Sequence, residues 1–176
     1  MKNYLVISAL GKDRPGIVHD LSTLIYEHGC NVVDSRMTVL GGEFAIILMI
    51  SGNWNEVAKI EDFLPEIARQ LDLTIISRRT EPRDNRSNLM PYSVEVISID
   101  HPGIVNNISD FFSSREINIE ELNTGSYSAA HTGTTMFTVN LVVSVPSKVL
   151  IGELREQFMD FCDSLNLDAV IEPIKG

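Results

Sequence analysis

The sequence predicts an α+β protein built from two tandem βαββαβ units, each with an antiparallel four-stranded sheet. Two observations lead to this fold class. Residues 13–18 (DRPGIV) recur 87 positions later as residues 100–105 (DHPGIV), with five of six residues identical. Short β-rich stretches and helical periodicity then follow in the same order in both copies. The 176 residues suffice for two domains of about 80 residues each.

The two copies stay in register without a gap as far as Asn31 and Asn118. Further on, the sequence Leu-Asp-Leu at 71–73 matches Leu-Asn-Leu at 165–167, so the second copy carries a net insertion of seven residues. Residues 80–89 mix proline, asparagine and charge without apolar periodicity, which is typical of a linker. We therefore predict one domain at 1–79, a linker at 80–89 and a second domain at 90–176.

The first strands are predicted at residues 3–10 and 92–99, which are short and β-rich. Because the second of these lies in mid-chain, we expect its counterpart at the start of the chain to belong to the fold and not to a leader peptide.

The first helix of each copy follows the repeated motif. Apolar residues three and four apart predict a helix from Ile17 to His28, with Pro15 in its first turn and Gly29 as its stop. The matching helix of the second copy has Glu116 where Gly29 stands. We expect that helix to end differently.

The remaining elements of the first copy are a hairpin, a second helix and a last strand. The hairpin is predicted at 31–40 and 43–51 around Gly41-Gly42, a dipeptide that tolerates tight turns. In the second copy, residues 126–133 replace this turn, so that most of the insertion lies at the hairpin tip. The second helix is predicted at 57–71, kinked or split by Pro65, and the last strand at 73–77.

The element order βαββαβ is the split-βαβ, ferredoxin-like arrangement, with both helices on one face of the sheet. The other sheet face needs cover. Pairing of the two units or of two chains would supply it, so a homo-oligomer is one expected arrangement.

Composition and charge exclude several function classes. Fourteen Lys and Arg stand against 24 Asp and Glu, a net charge of −10, which repels the phosphate backbone of nucleic acids. We expect no specific DNA binding by this chain alone. Cys30 and Cys162 lack any metal or disulfide spacing and are predicted to be buried thiols. No apolar run approaches the roughly 20 residues that span a bilayer, so we expect a soluble, cytoplasmic protein.

No GxSxG, HExxH or complete P-loop motif occurs in the sequence. The histidines have no metal-ligand spacing. We therefore expect neither catalysis, nor a metal, nor a cofactor.

The repeated motif is the candidate binding site. Glycine lets the backbone approach a ligand, and the unpaired N–H groups at a helix start suit a carboxylate. The alternative is that Asp and Pro only start the helix and Gly only turns the chain. Asp13 and Asp100 could receive an ammonium group.

Asn31 and Asn118 stand where the chain enters the second strand. We expect this position to lie close to the first turn and its amide to contact a polar ligand, although an asparagine that caps its own turn is equally ordinary. The candidate ligand-binding residues are Asp13, Arg14, Pro15, Gly16, Ile17, Val18 and Asn31 in the first copy, and Asp100, His101, Pro102, Gly103, Ile104, Val105 and Asn118 in the second.

Both motif copies, each followed by a helix and then Asn31 or Asn118, resemble the ACT family of amino-acid-sensing domains. The resemblance spans nearly the whole chain. It implies an amino-acid ligand that lies between two units and is held by the first-turn backbone and the asparagine of strand two. Some amino-acid-binding relatives carry Asn at the positions of Asp13 and Asp100.

Tandem units without a catalytic domain, together with the segments at 52–55 (GNWN) and 71–73 (LDL), are most similar to ACT regulators of glycine cleavage. This resemblance implies repression of the glycine cleavage operon through a partner protein, a transcriptional activator, with glycine relieving the block. The alternative is an ACT-type allosteric subunit that docks on an enzyme of amino-acid or one-carbon metabolism.

Overall fold

Two βαββαβ units follow one another along the chain, Met1–Asp84 and Asn85–Gly176. A computed structural model describes residues 2–82 and 88–174. The first unit contains β1 (Asn3–Lys12), α1 (Ile17–Glu27), β2 (Asn31–Leu40), β3 (Glu43–Gly52), α2 (Trp54–Leu71) and β4 (Leu73–Thr80). The second contains β5 (Leu89–Ile99), α3 (Ile104–Ser113), β6 (Asn118–Ser128), β7 (Thr135–Pro146), α4 (Ile151–Ser164) and β8 (Asp168–Pro173). The predicted fold class is confirmed.

Each unit has one antiparallel sheet, with strand order β2-β3-β1-β4 in the first and β6-β7-β5-β8 in the second. Alternate residues of the central strands point toward the helices, as strand geometry requires. In the first unit these residues include Leu5, Ile7, Phe44 and Ile50, all fully buried. The opposite sheet face exposes Ile47 and other apolar side chains, and its cover by a partner surface stays a prediction.

The edge strands β2 and β6 share an irregularity that matters for the site. Pairing with the neighbouring strand shifts register between Val32 and Asp34 in β2, and between Ile119 and Glu121 in β6. Both strands therefore carry a β-bulge at the same place, two residues after the asparagine. Bulges re-aim side chains and are common next to binding sites.

Pro65 does not split the second helix, so of the two expected outcomes, a kink or a split, the split is wrong. Helix α2 is continuous from Trp54 to Leu71. Proline removes one backbone hydrogen bond at a cost of about 3 kcal/mol. Apolar side chains on both sides of Pro65, including Ile60 and Ile67, are fully buried against the sheet, and this burial outweighs the lost bond.

The exit of helix α3 is also not the one expected. Glu116 adopts a left-handed conformation with φ of 56°, as Gly29 does with φ of 78°. In both copies the next residue closes the helix with an equivalent backbone bond, from Cys30 N to Ile25 O (3.2 Å) and from Ile117 N to Phe112 O (3.0 Å). Both helices therefore end in the same C-terminal motif, but in the second copy its left-handed position is occupied by glutamate, which tolerates that conformation less well than glycine does.

We expect Glu116→Gly to raise the free energy of unfolding by about 1 kcal/mol, because glycine relieves the left-handed strain at this position. Urea unfolding followed by circular dichroism measures the change. Ser109→Gly, in the interior of the same helix, is the control and should lower stability by about 0.5–1 kcal/mol. A loss of stability in Glu116→Gly would show that the glutamate side chain stabilises the exit.

The hairpin tip of the second copy is shorter than predicted. Residues 126–128 belong to β6, where they pair with Phe137, Met136 and Thr135 of β7. The turn begins at Ala129, whose N–H donates to Thr134 O at 2.9 Å. The insertion thus lengthens both strands as well as the loop, since serine and tyrosine are acceptable on an exposed edge strand.

The predicted linker is shorter at both ends. Thr80 belongs to β4, where it pairs with Tyr4 of β1, and Leu89 belongs to β5, where it pairs with Pro146 of β7. Residues 83–87 of the predicted linker lie outside the described residues.

Candidate functional site

The repeated motif forms the same turn in both units. Gly16 and Gly103 are the N-caps of α1 and α3, with φ of 86° and 96°. No side chain caps either helix, so the glycine backbone alone makes the turn. Positive φ is costly for other residues, which explains glycine at both positions.

Backbone N–H groups are available at both helix starts. Among the described residues, the N–H groups of Val18 and His19 have no hydrogen-bond partner, whereas Asp20 N donates to Gly16 O at 2.9 Å. The same holds in the second unit for Val105 and Asn106. Such groups attract anions, and a carboxylate is the anionic part of an amino acid.

The side chains of the motif divide into two groups. Ile17 and Ile104 are buried, at 3% and 1% exposure, so only their backbone is available to a ligand. The side chain of Val18 is 42% exposed, and that of Val105 packs partly against the core. The first and third residues of each motif copy are also exposed: Asp13, Pro15, Asp100 and Pro102.

The second residue of the motif differs between the units. Arg14 is exposed and forms an ion pair with Asp20, with Nη2 and Oδ2 2.8 Å apart. In the second unit His101 takes its place, with Nδ1 3.1 Å from Pro102 O. Position 107, equivalent to Asp20, is an asparagine. The first-unit turn therefore holds a permanent cation that the second-unit turn lacks.

The two asparagines lie at equivalent places on the edge strands. Asn31 pairs with Ser51 across β2 and β3, and Asn118 pairs with Ser144 across β6 and β7. Cross-strand partners share a sheet face. Since Val143 and Val145 are buried in the core, Ser144 and Asn118 lie on the face without helices.

The structure does not bring the first turn and the asparagine together within a unit, so this expectation was wrong. Asp13 N donates to Gly42 O at 3.0 Å, at the end of the sheet where Lys12 pairs with Glu43. Asn31 lies at the opposite end, where Tyr4 pairs with Ser51. At about 3.3 Å per residue these ends are about 26 Å apart.

The error has a simple physical cause. Helix α1 runs back along the sheet after the first turn, and it therefore delivers the chain to the end where β1 began. The same arrangement recurs in the second unit, where Asp100 N donates to Thr135 O at 3.0 Å while Asn118 pairs with Ser144. One unit by itself cannot place both groups around a ligand as small as glycine.

A carboxylate that sequence reasoning missed lies beside Asn118. Glu120 Oε1 accepts a hydrogen bond from Asn118 Nδ2 at 2.7 Å and from Ser144 Oγ at 3.1 Å. Glu120 is the bulge residue of β6, and Val33 is its counterpart in β2. The gapless register of the two copies contains this difference, and a comparison of Val33 with Glu120 would have found it.

An open cleft of about 410 Å³ runs beside α3 from the first helical turn to the start of β6. Polar residues make up most of its lining: Asn106, Ser109, Asp110, Ser113 and Asn118, together with Ile117 and Ile119. This volume is within the range of small-molecule sites. The Asp110 carboxylate makes the cleft less suitable for an anion.

Other site types find no support in the described residues. No three His, Cys, Asp or Glu side chains of residues 2–82 and 88–174 cluster so that they could hold a metal ion. Both cysteines are buried and free. Burial raises the pKa of Cys162 to about 12 and also raises the pKa of Cys30, so both thiols stay protonated and unreactive. No helix in this part of the chain is long and apolar enough to cross a membrane.

Comparison with known proteins agrees with this architecture. Residues 3–77 match the ACT domain family. The chain is 32% identical over 173 residues to the glycine cleavage system transcriptional repressor of Escherichia coli (strain K12), with 98% of this chain and 91% of the relative covered.

Two solved structures are similar over the full length. One carries the name of the same repressor, with a TM-score of 0.74, 31% identity and coverage of 100% of this chain and 99% of that chain. The other is a protein from Galdieria sulphuraria, with a TM-score of 0.81, 28% identity and coverage of 99% and 100%. The chain therefore belongs to the family of the glycine cleavage system transcriptional repressor, a family of regulatory proteins built on ACT domains.

Proposed function

We propose that this chain is a cytoplasmic amino-acid sensor that represses transcription of the glycine cleavage operon by acting on a partner activator, and that glycine relieves this repression. The observation that carries the proposal is the similarity to the Escherichia coli repressor over 98% of the chain. The fold supports it, since both units have the βαββαβ element order and residues 3–77 match the ACT domain family.

Action through a protein partner is supported by charge. The net charge is −10, and specific binding to DNA depends on Lys and Arg that neutralise phosphates. An acidic protein of this kind reaches an operator most readily through a protein that binds the operator itself.

Glycine as ligand is supported by the groups that the two units expose. The free N–H groups of Val18 and His19, at one end of the sheet, and the amide of Asn31, at the other end, are separate donors that can each bind a carboxylate. Asp13, beside the first of these, can accept from an ammonium group. Glycine has five heavy atoms, and the best small ligands gain about 1.5 kcal/mol per atom, so its binding free energy cannot much exceed about 7.5 kcal/mol. We therefore expect a dissociation constant in the micromolar range or weaker.

A gel-shift experiment tests the proposed function. Operator DNA of the glycine cleavage operon is mixed with its purified activator, with this protein, and with both. We expect no shift by this protein alone, a changed shift when it joins the activator, and reversal of that change by glycine. Asn31→Ala should reduce the reversal, whereas Asn123→Ala, on the exposed edge strand β6, is the control and should leave it unchanged.

Two results would contradict the proposal. One is competitor-resistant binding of the operator by this protein in the absence of the activator. The other is an activator shift that does not respond to this protein or to glycine. Capture of a metabolic enzyme in place of the activator would favour the allosteric-subunit alternative.

A further inference from the structure

The bulge that follows each asparagine is the strongest difference between the two copies of the candidate site. Val33 occupies it in β2 and Glu120 occupies it in β6. We propose that the two copies are not equivalent: Asn31 can bind the carboxylate of a small ligand, and Glu120 closes the matching position at Asn118. This inference rests on the proposed function, for which it names the half of the molecule that takes the ligand carboxylate.

Glu120 already satisfies the donors that a ligand carboxylate would need. Its Oε1 atom accepts from Asn118 Nδ2 at 2.7 Å and from Ser144 Oγ at 3.1 Å. A carboxylate of the chain thus occupies the place of a carboxylate of the ligand. An incoming anion would have to displace Glu120 and would also be repelled by it at short range.

The corresponding donors in the first unit are not used in this way. Asn31 and Ser51 are the equivalents of Asn118 and Ser144. Asn31 is exposed and Ser51 is buried, and among the described residues neither side chain has a hydrogen-bond partner. The aliphatic side chain of Val33 brings neither a charge nor an acceptor to the bulge. A ligand carboxylate can therefore accept from Asn31 without displacing a group of the chain.

The charge along the two edge strands differs in the same direction. In β2, Asp34 is neutralised by Arg36, with Oδ1 and Nη1 2.6 Å apart. At the equivalent positions β6 has Glu121 and Asn123. The cleft beside α3 adds the carboxylate of Asp110. The Asp110 carboxylate disfavours an anion in this cleft of the second unit.

Side-chain amide signals in NMR spectra of the ¹⁵N-labelled full chain test this inference. Asn31→Asp and Asn118→Asp assign the two signals by their loss. The probes are sodium acetate, which supplies a carboxylate alone, and glycine. In the wild type we expect the Asn31 signals to shift saturably with acetate and the Asn118 signals to respond with an affinity at least about tenfold weaker, which corresponds to about 1.4 kcal/mol.

Reciprocal substitutions use one copy as the control for the other. Glu120→Val gives β6 the residue that β2 tolerates at the same bulge, and it should bring the acetate affinity at Asn118 within about threefold of that at Asn31. Val33→Glu should weaken the response of Asn31 by about tenfold or more. Glu120→Gln keeps the shape of the side chain but removes its charge, and it replaces Glu120→Val as the test variant if Glu120→Val does not fold. We expect its acetate affinity at Asn118 to lie between those of the wild type and Glu120→Val.

The outcomes separate this inference from the proposed function. Equal acetate affinities at the two asparagines in the wild type, or an Asn118 response unchanged in both Glu120 variants, would overturn the inference. The absence of any acetate response at Asn31 would overturn it as well. If acetate gives the expected contrast but glycine has no effect on the activator's gel shift, the proposed function fails while the inference holds.

Discussion

We expect Phe158→Ala to lower the free energy of unfolding by about 3–5 kcal/mol, the range for removal of a buried phenylalanine from a protein core. The Phe158 side chain is fully buried, and its ring centroid lies 5.0 Å from that of Phe111 and 5.1 Å from that of Phe112. Alanine would remove these ring contacts and leave a cavity between α3 and α4. Chemical denaturation followed by circular dichroism measures the loss.

Phe161 provides the control for this prediction. It lies on the same helix and stacks on the same Phe111 ring at 5.1 Å, but it is only partly buried. Phe161→Ala should therefore cost clearly less than Phe158→Ala. Equal losses for the two variants would contradict the assignment of Phe158 to the centre of the second core.

Gly16→Ala should lower the free energy of unfolding by about 1–2 kcal/mol, because Gly16 has φ of +86° and a side chain disfavours this conformation. A Cβ atom at Gly16 would meet no atom within 4 Å, so backbone strain alone sets the cost. The larger Gly16→Val should in addition hinder the approach of a ligand to the first-turn backbone and weaken glycine binding. Thermal unfolding and glycine titration measure the two effects.

Gly152 is the matched control, since a Cβ atom there also meets open space. It lies at the start of helix α4, and Gly152→Ala should be neutral or stabilise the protein by up to about 1 kcal/mol. The same chemical change thus has opposite signs at two uncrowded glycines. Equal effects would contradict the role assigned to the left-handed turn.

The fold was predictable because local pattern and overall fold agree in both copies. The alternation of Val94 and Val96 with polar residues in β5, and the spacing of Ile17, Leu21 and Ile25 in α1, point to the faces that are buried in the structure. Duplication strengthened each assignment, since an element that is ambiguous in one copy could be read in the other.

The sequence-based predictions failed where packing outweighs local preference. Burial on both sides of Pro65 keeps α2 continuous, and the packing of Ile117 holds Glu116 in a conformation that glycine favours. The tip of the second hairpin was misplaced for a different reason. Serines at 126 and 128 suit a turn or an exposed edge strand equally well, and only pairing with β7 decides between them.

The helix starts of the candidate site were predictable from the sequence, but their distance from Asn31 and Asn118 was not. The repeated motif located the two helix starts, whose N–H groups are free in the structure, and the left-handed conformation of Gly16 and Gly103 is a finding of the structure. The distance of the motif from Asn31 was misjudged, because a sequence does not display the direction in which α1 returns along the sheet. The Glu120 carboxylate was overlooked because a bulge residue interrupts the alternation from which strand faces are inferred.

The most direct test of amino-acid sensing by this chain is calorimetric titration of the full-length protein with glycine. We predict saturable heat with a dissociation constant in the micromolar range or weaker, and an affinity at least about tenfold weaker in Asn31→Ala, a variant that keeps the wild-type circular dichroism spectrum. Absence of saturable heat up to about 10 mM glycine, or equal affinity in the wild type and Asn31→Ala, would contradict glycine sensing at this site.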